Sequence, residues 1–178
     1  NAAEQSGEPV LPWQIAVLDE GYVRVFNLIP GRSTLQQAIQ HFGLDYEIAV
    51  VSPPQARGSL EAFFETANAG YITGKALVKV DLADDKLNQL RDRAVKVEFM
   101  ESATRKYTLH PDDLAWALQQ PFQVIAFIPS ADLNEQVILE RFGTPAERIR
   151  STDKIEHFLY PQHGLDITLD AQGKELLQ

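Results

Sequence analysis

The side chains of this chain that could carry acid–base or metal chemistry are its four histidines, His41, His110, His157 and His163, and its 25 aspartates and glutamates. His157 and His163 stand close together, with Glu156 and Asp166 beside them. Imidazole nitrogens and carboxylate oxygens are the donors that bind zinc. Their spacing does not form H-E-x-x-H, the pattern that sets two histidines on one helical face. The pair therefore reads as solvent-facing or partly buried histidine, and no metal is expected.

Paired carboxylates can act as acid and base where their surroundings separate their pKa values. Asp84-Asp85 and Asp112-Asp113 are such pairs, but each stands where a helix should begin, the second directly after Pro111. Acidic side chains are favoured there by the positive end of the helix dipole. The serines at 33, 52, 59, 102, 130 and 151 include no G-x-S-x-G elbow. Gly70 to Lys75 is only superficially like a phosphate loop, because it lacks the form G-x-x-x-x-G-K-[ST] and Ala76 follows Lys75. Gly70 and Gly74 read instead as hairpin turn residues. No catalytic residue and no cofactor are expected.

The elements that would position these groups can be read from periodicity. Tyr22 to Ile29 reads as a strand ended by Pro30-Gly31. Ser33 and Gln36 have the spacing of a capping box, and Leu35, Ala38, Ile39 and Phe42 then line one face of a helix stopped by Gly43. Strands are predicted over 46–51, 60–64 and 76–82. Ala83 to Arg93 reads as a helix, Val95 to Phe99 and Thr104 to Leu109 as a hairpin, and Pro111 opens a further helix through Leu118. Val124 to Ile128 is a strand. Asp132 and Glu135 suggest a second capping box, and a helix runs to Phe142-Gly143. Strands then follow over 147–150, 156–160 and 165–170.

The order of elements recurs with local sequence matches. Ile29-Pro30 corresponds to Ile128-Pro129, Phe42-Gly43 to Phe142-Gly143, Leu60–Phe64 to Ile155–Leu159, and Val80-Asp81 to Leu169-Asp170. Matches in one order suggest an internal duplication. The expected fold is α+β: two repeats of a helix plus a three-stranded antiparallel sheet, at 21–82 and 122–178. Residues 1–20 form a flexible lead, and 83–121 an intervening helix–hairpin–helix segment.

Composition narrows the partners. The chain of 178 residues carries a formal net charge of −9, and its densest basic cluster, Arg91, Arg93 and Lys96, is interrupted by Asp92. Neutralising a phosphate backbone needs clustered Lys and Arg, so nucleic acid and anionic membranes are poor partners. There is no cysteine, which removes disulfides and thiol nucleophiles. No apolar run reaches the ~20 residues of a membrane-spanning helix. The polar opening at Asn1 suggests a processed chain whose signal has been removed.

The segment from Asp132 to Gln178 resembles the SmpA/OmlA (BamE-like) family of outer-membrane lipoproteins. The resembling residues are Glu135-Gln136-Val137, Arg141-Phe142-Gly143-Thr144-Pro145, Phe158-Leu159-Tyr160, and Ile167 to Lys174. Gly31 to Leu82 is a weaker second match, with Leu44-Asp45 where the family has x-Pro. The resemblance implies a periplasmic, non-enzymatic protein with a lipid-anchored precursor that contacts envelope proteins. Tandem copies of the unit resemble β-lactamase-inhibitor proteins, which are binding modules. The family's anchoring cysteine is not in this chain. The first expectation is thus an envelope interaction module; the alternative is a small-ligand or peptide-binding module using a groove between the repeats. On the strand 156–160, Glu156, Phe158 and Tyr160 share one face, and His157 and Leu159 share the other. The first set is a candidate interaction surface, unless its aromatics pack beneath the helix ending at Phe142.

Overall fold

In a computed structural model, residues 10–178 are described. Twelve strands and four α-helices follow in chain order: β1 (Ala16–Val17), β2 (Val23–Arg24), α1 (Leu35–Phe42), β3 (Tyr46–Ser52), β4 (Ser59–Ala69), β5 (Ile72–Val80), α2 (Asp84–Asp92), β6 (Lys96–Phe99), β7 (Arg105–Thr108), α3 (Pro111–Leu118), β8 (Val124–Pro129), α4 (Glu135–Phe142), β9 (Glu147–Arg150), β10 (Ile155–Tyr160), β11 (Leu165–Asp170) and β12 (Leu176–Leu177). The fold is α+β. The helix–hairpin–helix expected between 83 and 121 is present as α2, β6–β7 and α3.

The expected pair of three-stranded sheets is not what forms. Ten strands make one antiparallel sheet in the order β6-β7-β3-β4-β5-β8-β12-β11-β10-β9, and β1 and β2 make a separate two-stranded sheet. The junction is the C-terminal strand. Leu177 pairs with Phe127 of β8, and Leu176 and Leu177 pair with Thr168 and Ile167 of β11. A two-residue strand carries no legible alternation, so only the assembled fold reveals the continuity.

The strand expected over 22–29 ends at Arg24. The chain doubles back through Phe26 and Asn27, both at positive φ (54° and 57°), with Val25 bridged to Leu28. A positive φ is costly for a bulky side chain. Phe26 is held there because its ring is buried 5.4 Å from Phe42 and 5.6 Å from Phe127. Residues 10–20, expected as part of a flexible lead, hold β1 and a 3₁₀ turn; Trp13 packs edge-on to Phe142 at 6.4 Å. Residues 1–9 lie outside the described part.

Helix starts are displaced by one or two positions from the expected boxes. Thr34 caps α1, exchanging hydrogen bonds with Gln37, because Ser33 Oγ already accepts the Ile29 N–H at 2.9 Å. Asn134 caps α4 by accepting the Val137 N–H, while Asp132 pairs with Lys174. The expected apolar face of α1 holds, with Leu35, Ala38, Ile39 and Phe42 all buried, and α4 buries Ile138 and Phe142.

The β4–β5 hairpin turns at Gly70, as expected, with φ 66°. Gly74 lies inside β5 instead, paired with Pro129. A β-carbon there would stand 2.3 Å from the carbonyl oxygen of Ile128, so glycine is required by close backbone approach, not by a turn. On β4 a bulge places Glu65 and Thr66 opposite Lys75, which returns Ala67 and Ala69 to the buried face.

Candidate functional site

The helices stack on one side of the sheet. Phe64 meets Phe42 of α1 at 5.3 Å, Tyr160 meets Phe142 at the end of α4 at 6.1 Å, and Ser52 Oγ accepts from Arg91 of α2. The predicted surface lies on this covered side. Phe158 and Tyr160 are fully buried, and Tyr160 donates its hydroxyl to the Gly143 carbonyl at 2.9 Å. The alternation read from sequence is right, but the aromatic face is the core. This corrects the expectation of an exposed Glu156–Phe158–Tyr160 patch. Glu156, at the margin, is engaged by Arg148 at 3.1 Å, and Arg148 also reaches Glu135 and lies over the Phe158 ring. That hydrogen bond and charge hold the Glu156 carboxyl below the usual range.

His157 points to the other side of the sheet, away from the helices. Its Nδ1 is 3.0 Å from Asp166 Oδ2 and 3.3 Å from Thr168 Oγ1; its Nε2 is 3.4 Å from Ser151 Oγ. Hydroxyl, imidazole and carboxylate in that order are the parts of a nucleophilic relay. Acyl transfer also needs N–H groups aimed at the developing oxyanion. The N–H groups of Ser151 and Thr152 both point to the Ile155 carbonyl, so neither is free for that role. Ser151, His157 and Asp166 form a polar ladder across β10 and its neighbours. Sequence spacing could not reveal it, because Ser151 reaches His157 only through the turn between β9 and β10.

His163 does not join His157. It stacks on Tyr160 at 6.5 Å in the turn after β10. Among the described residues no group of three His, Asp or Glu is placed to hold a metal. The two acidic pairs stand in the first turns of α2 and α3, where Arg57 pairs with Asp84 and Arg93 with Asp113 at 2.9 Å.

His41, in the last turn of α1, lies 5.0 Å from Phe42 and 5.8 Å from Phe26, with its Nε2 buried and without a hydrogen-bond partner among the described residues. Burial pushes its pKa below the ordinary value. Protonation then favours the unfolded chain. The stability tied to this site is complete above the unfolded histidine pKa of about 6.5 and is lost as pH falls through it toward the folded value. Melting temperature should decline as pH drops below about 6.5, and His41→Leu should flatten that decline. An equally steep decline in His41→Leu rejects this assignment.

Two of the concave features lie against the central and C-terminal strands of the sheet. On the helix-free face, Phe63, Leu77, Ala126, Ile128 and Leu176 line a shallow groove of about 280 Å³. Lys75 pairs with Glu65 at 2.6 Å and Lys79 with Glu61 at 3.7 Å, so its borders are close to neutral. At one end of the sheet, a cleft of about 940 Å³ opens between the 12–31 segment and the β10–β11 turn. Tyr22, Val25, Phe127, Leu159 and Leu165 make it mostly apolar, with His163 and Asp166 as polar groups. No family model matches the chain, and no curated protein or solved structure matches it. No helix of the described residues is long and apolar enough to cross a membrane.

Proposed function

We propose that this chain is a non-enzymatic interaction module of a bacterial cell envelope, periplasmic and tethered through a lipidated N-terminus of its precursor. In this reading it binds a protein partner through the helix-free face of its sheet. The observation that carries the proposal is the neutral apolar groove around Phe63 and Leu77, on a face that no helix of the described residues covers. Contiguous exposed apolar surface is a feature of binding sites. With each bordering lysine paired to a glutamate, the occupant is an apolar protein segment rather than a charged one. Envelope location and anchoring come from the SmpA/OmlA resemblance of 132–178. The proposed duplication places α1-β3-β4-β5 and α4-β9-β10-β11 as equivalent halves, each a helix followed by three successive antiparallel strands.

The second reading, a small-ligand or peptide-binding module, is favoured by the 940 Å³ cleft, which falls in the 300–1,000 Å³ range of ligand sites. Hydrogen exchange on the chain alone and with a purified envelope partner separates the two. Protection in β4, β5 and β8 is expected, and Leu77→Glu should weaken binding at least about tenfold while leaving the melting temperature almost unchanged. Protection confined to 12–31 and 161–166 would transfer the site to the cleft and reject the sheet-face reading.

A further inference from the structure

The two outer edges of the sheet, β6 and β9, differ in how they are protected. An edge strand offers unpaired N–H and C=O groups to any other strand, and proteins blunt such edges with charge, proline or short length. At the β6 edge, Val95, Val97, Phe99 and Met100 are all exposed, Phe99 at 72% and Val95 at 58%. Among the described residues these are four of the ten exposed large apolar side chains, gathered in one short stretch.

Backbone parity decides what the edge can accept. Met100 N–H donates inward to Thr104 C=O at 2.8 Å. In an antiparallel ladder the bonded direction alternates, so Glu98 and Lys96 also face β7, and the backbones of Val97 and Phe99 face the open edge. Val95 N–H turns inward to Thr108 C=O at 3.1 Å, which ends the open edge on that side. We propose that this edge is a homodimer site: β6 pairs antiparallel with β6 of a second copy about a two-fold axis through Val97. In that register Val97 N–H and C=O bond reciprocally with their counterparts. Lys96 stands opposite Glu98 of the other copy, and Glu98 opposite its Lys96. Val95 stands opposite Phe99 of the other copy, on the sheet face away from these charges.

The sequence Val95-Lys96-Val97-Glu98-Phe99 is self-complementary about its centre in both charge and apolarity. Opposite charges facing across strands stabilise a pair and like charges oppose it. In the isolated chain Lys96 Nζ lies 2.7 Å from Glu98 of its own strand, and Glu98 lies 3.2 Å from Lys106. The pair exchanges one carboxylate partner for another without leaving a charge alone. Registers centred on Lys96 or Glu98 set like charges face to face.

The β9 edge has no such solution. Ser151 N–H donates inward to Ile155, so Arg148 and Arg150 present the outward backbone. Registers centred on Arg148, Ile149 or Arg150 oppose arginine to arginine. Self-complementarity belongs to β6 and not to β9, and the second copy in this proposal meets β6 with its own β6. A self-paired interface (isologous, with the same patch on both copies) closes as a dimer and does not propagate. The contact is small, so a weak, concentration-dependent dimer is expected.

Sedimentation velocity over the micromolar to millimolar range tests this. The wild-type chain should show reversible dimerisation. Lys96→Glu and Glu98→Lys should each weaken it at least about tenfold. Because the register is palindromic, the double change Lys96→Glu/Glu98→Lys should restore it, and mixing the two single variants should give a heterodimer. Val97→Pro removes the outward N–H, which an edge strand tolerates, and should leave a folded monomer. A wild-type chain that stays monomeric throughout, or a dimer indifferent to Val97→Pro and to the charge changes, overturns the proposal.

Discussion

Phe42→Ala is expected to destabilise the protein by about 3–5 kcal/mol, the range for truncating a buried phenylalanine. Urea unfolding should show a lowered midpoint with little change in slope. Phe42 closes the last turn of α1 and is completely buried, with Phe26 at 5.4 Å and Phe64 at 5.3 Å. The surrounding rings belong to a tight turn and to a strand paired on both sides, so they cannot slide in to fill the space. Residual cavity volume, not lost transfer energy alone, sets the upper part of the range. Phe142 occupies the corresponding place on α4 but is 8% exposed, and one neighbour is the half-buried Trp13. Phe142→Ala should therefore fall near the lower end of the range. A loss below roughly 1 kcal/mol for Phe42→Ala would mean that the ring lies outside the core.

The same residues show what sequence can and cannot convey. Leu35, Ala38, Ile39 and Phe42 repeat with helical period, and all four are buried on one face of α1. That information is local, so it is legible. The cap is not, because Ser33 with Gln36 and Thr34 with Gln37 offer two overlapping boxes. The Ile29 N–H, outside the helix, decides between them. The Phe26-Asn27 turn is hidden in an apolar run for the same reason: its strained backbone is imposed by Phe42 and Phe127, far along the chain. Gly74 reads as a turn residue because a strand glycine and a turn glycine are the same letter; only the approach of Ile128 tells them apart.

The candidate surface fails at a different level. Alternation along β10 separates Glu156, Phe158 and Tyr160 from His157 and Leu159. Period alone does not say which set the helices cover. The structure puts α4 over the aromatics and leaves the histidine side open. The groove at Phe63 and Leu77 joins β4 and β5 to β8 and β12, and the β6 edge matters only once β6 is known to be outermost. Both depend on strand order, which local patterns do not encode.

Tyr160 offers the sharpest check on that corrected face. Its ring is buried against Phe142, and its hydroxyl donates to the Gly143 carbonyl, just past the end of α4. Gly143 adopts φ 82° and ψ −168°, a backbone conformation open to glycine because it has no β-carbon. Tyr160 thus ties the helix terminus to the sheet, and burial pushes its phenol pKa upward. Tyr160→Phe keeps the ring and leaves one carbonyl without its donor, and should lose about 1 kcal/mol. Tyr160→Ala also opens a cavity beneath α4, and about 3–5 kcal/mol is expected. Glu156→Ala should change stability little, because Arg148 keeps Glu135 and its charge stays at the surface. Equilibrium unfolding should therefore find Tyr160→Ala the most destabilised of the three variants, Tyr160→Phe intermediate and Glu156→Ala the least. If Tyr160→Ala proved as benign as Glu156→Ala, the tyrosine would be a surface residue and the helix-covered face would have to be reassigned.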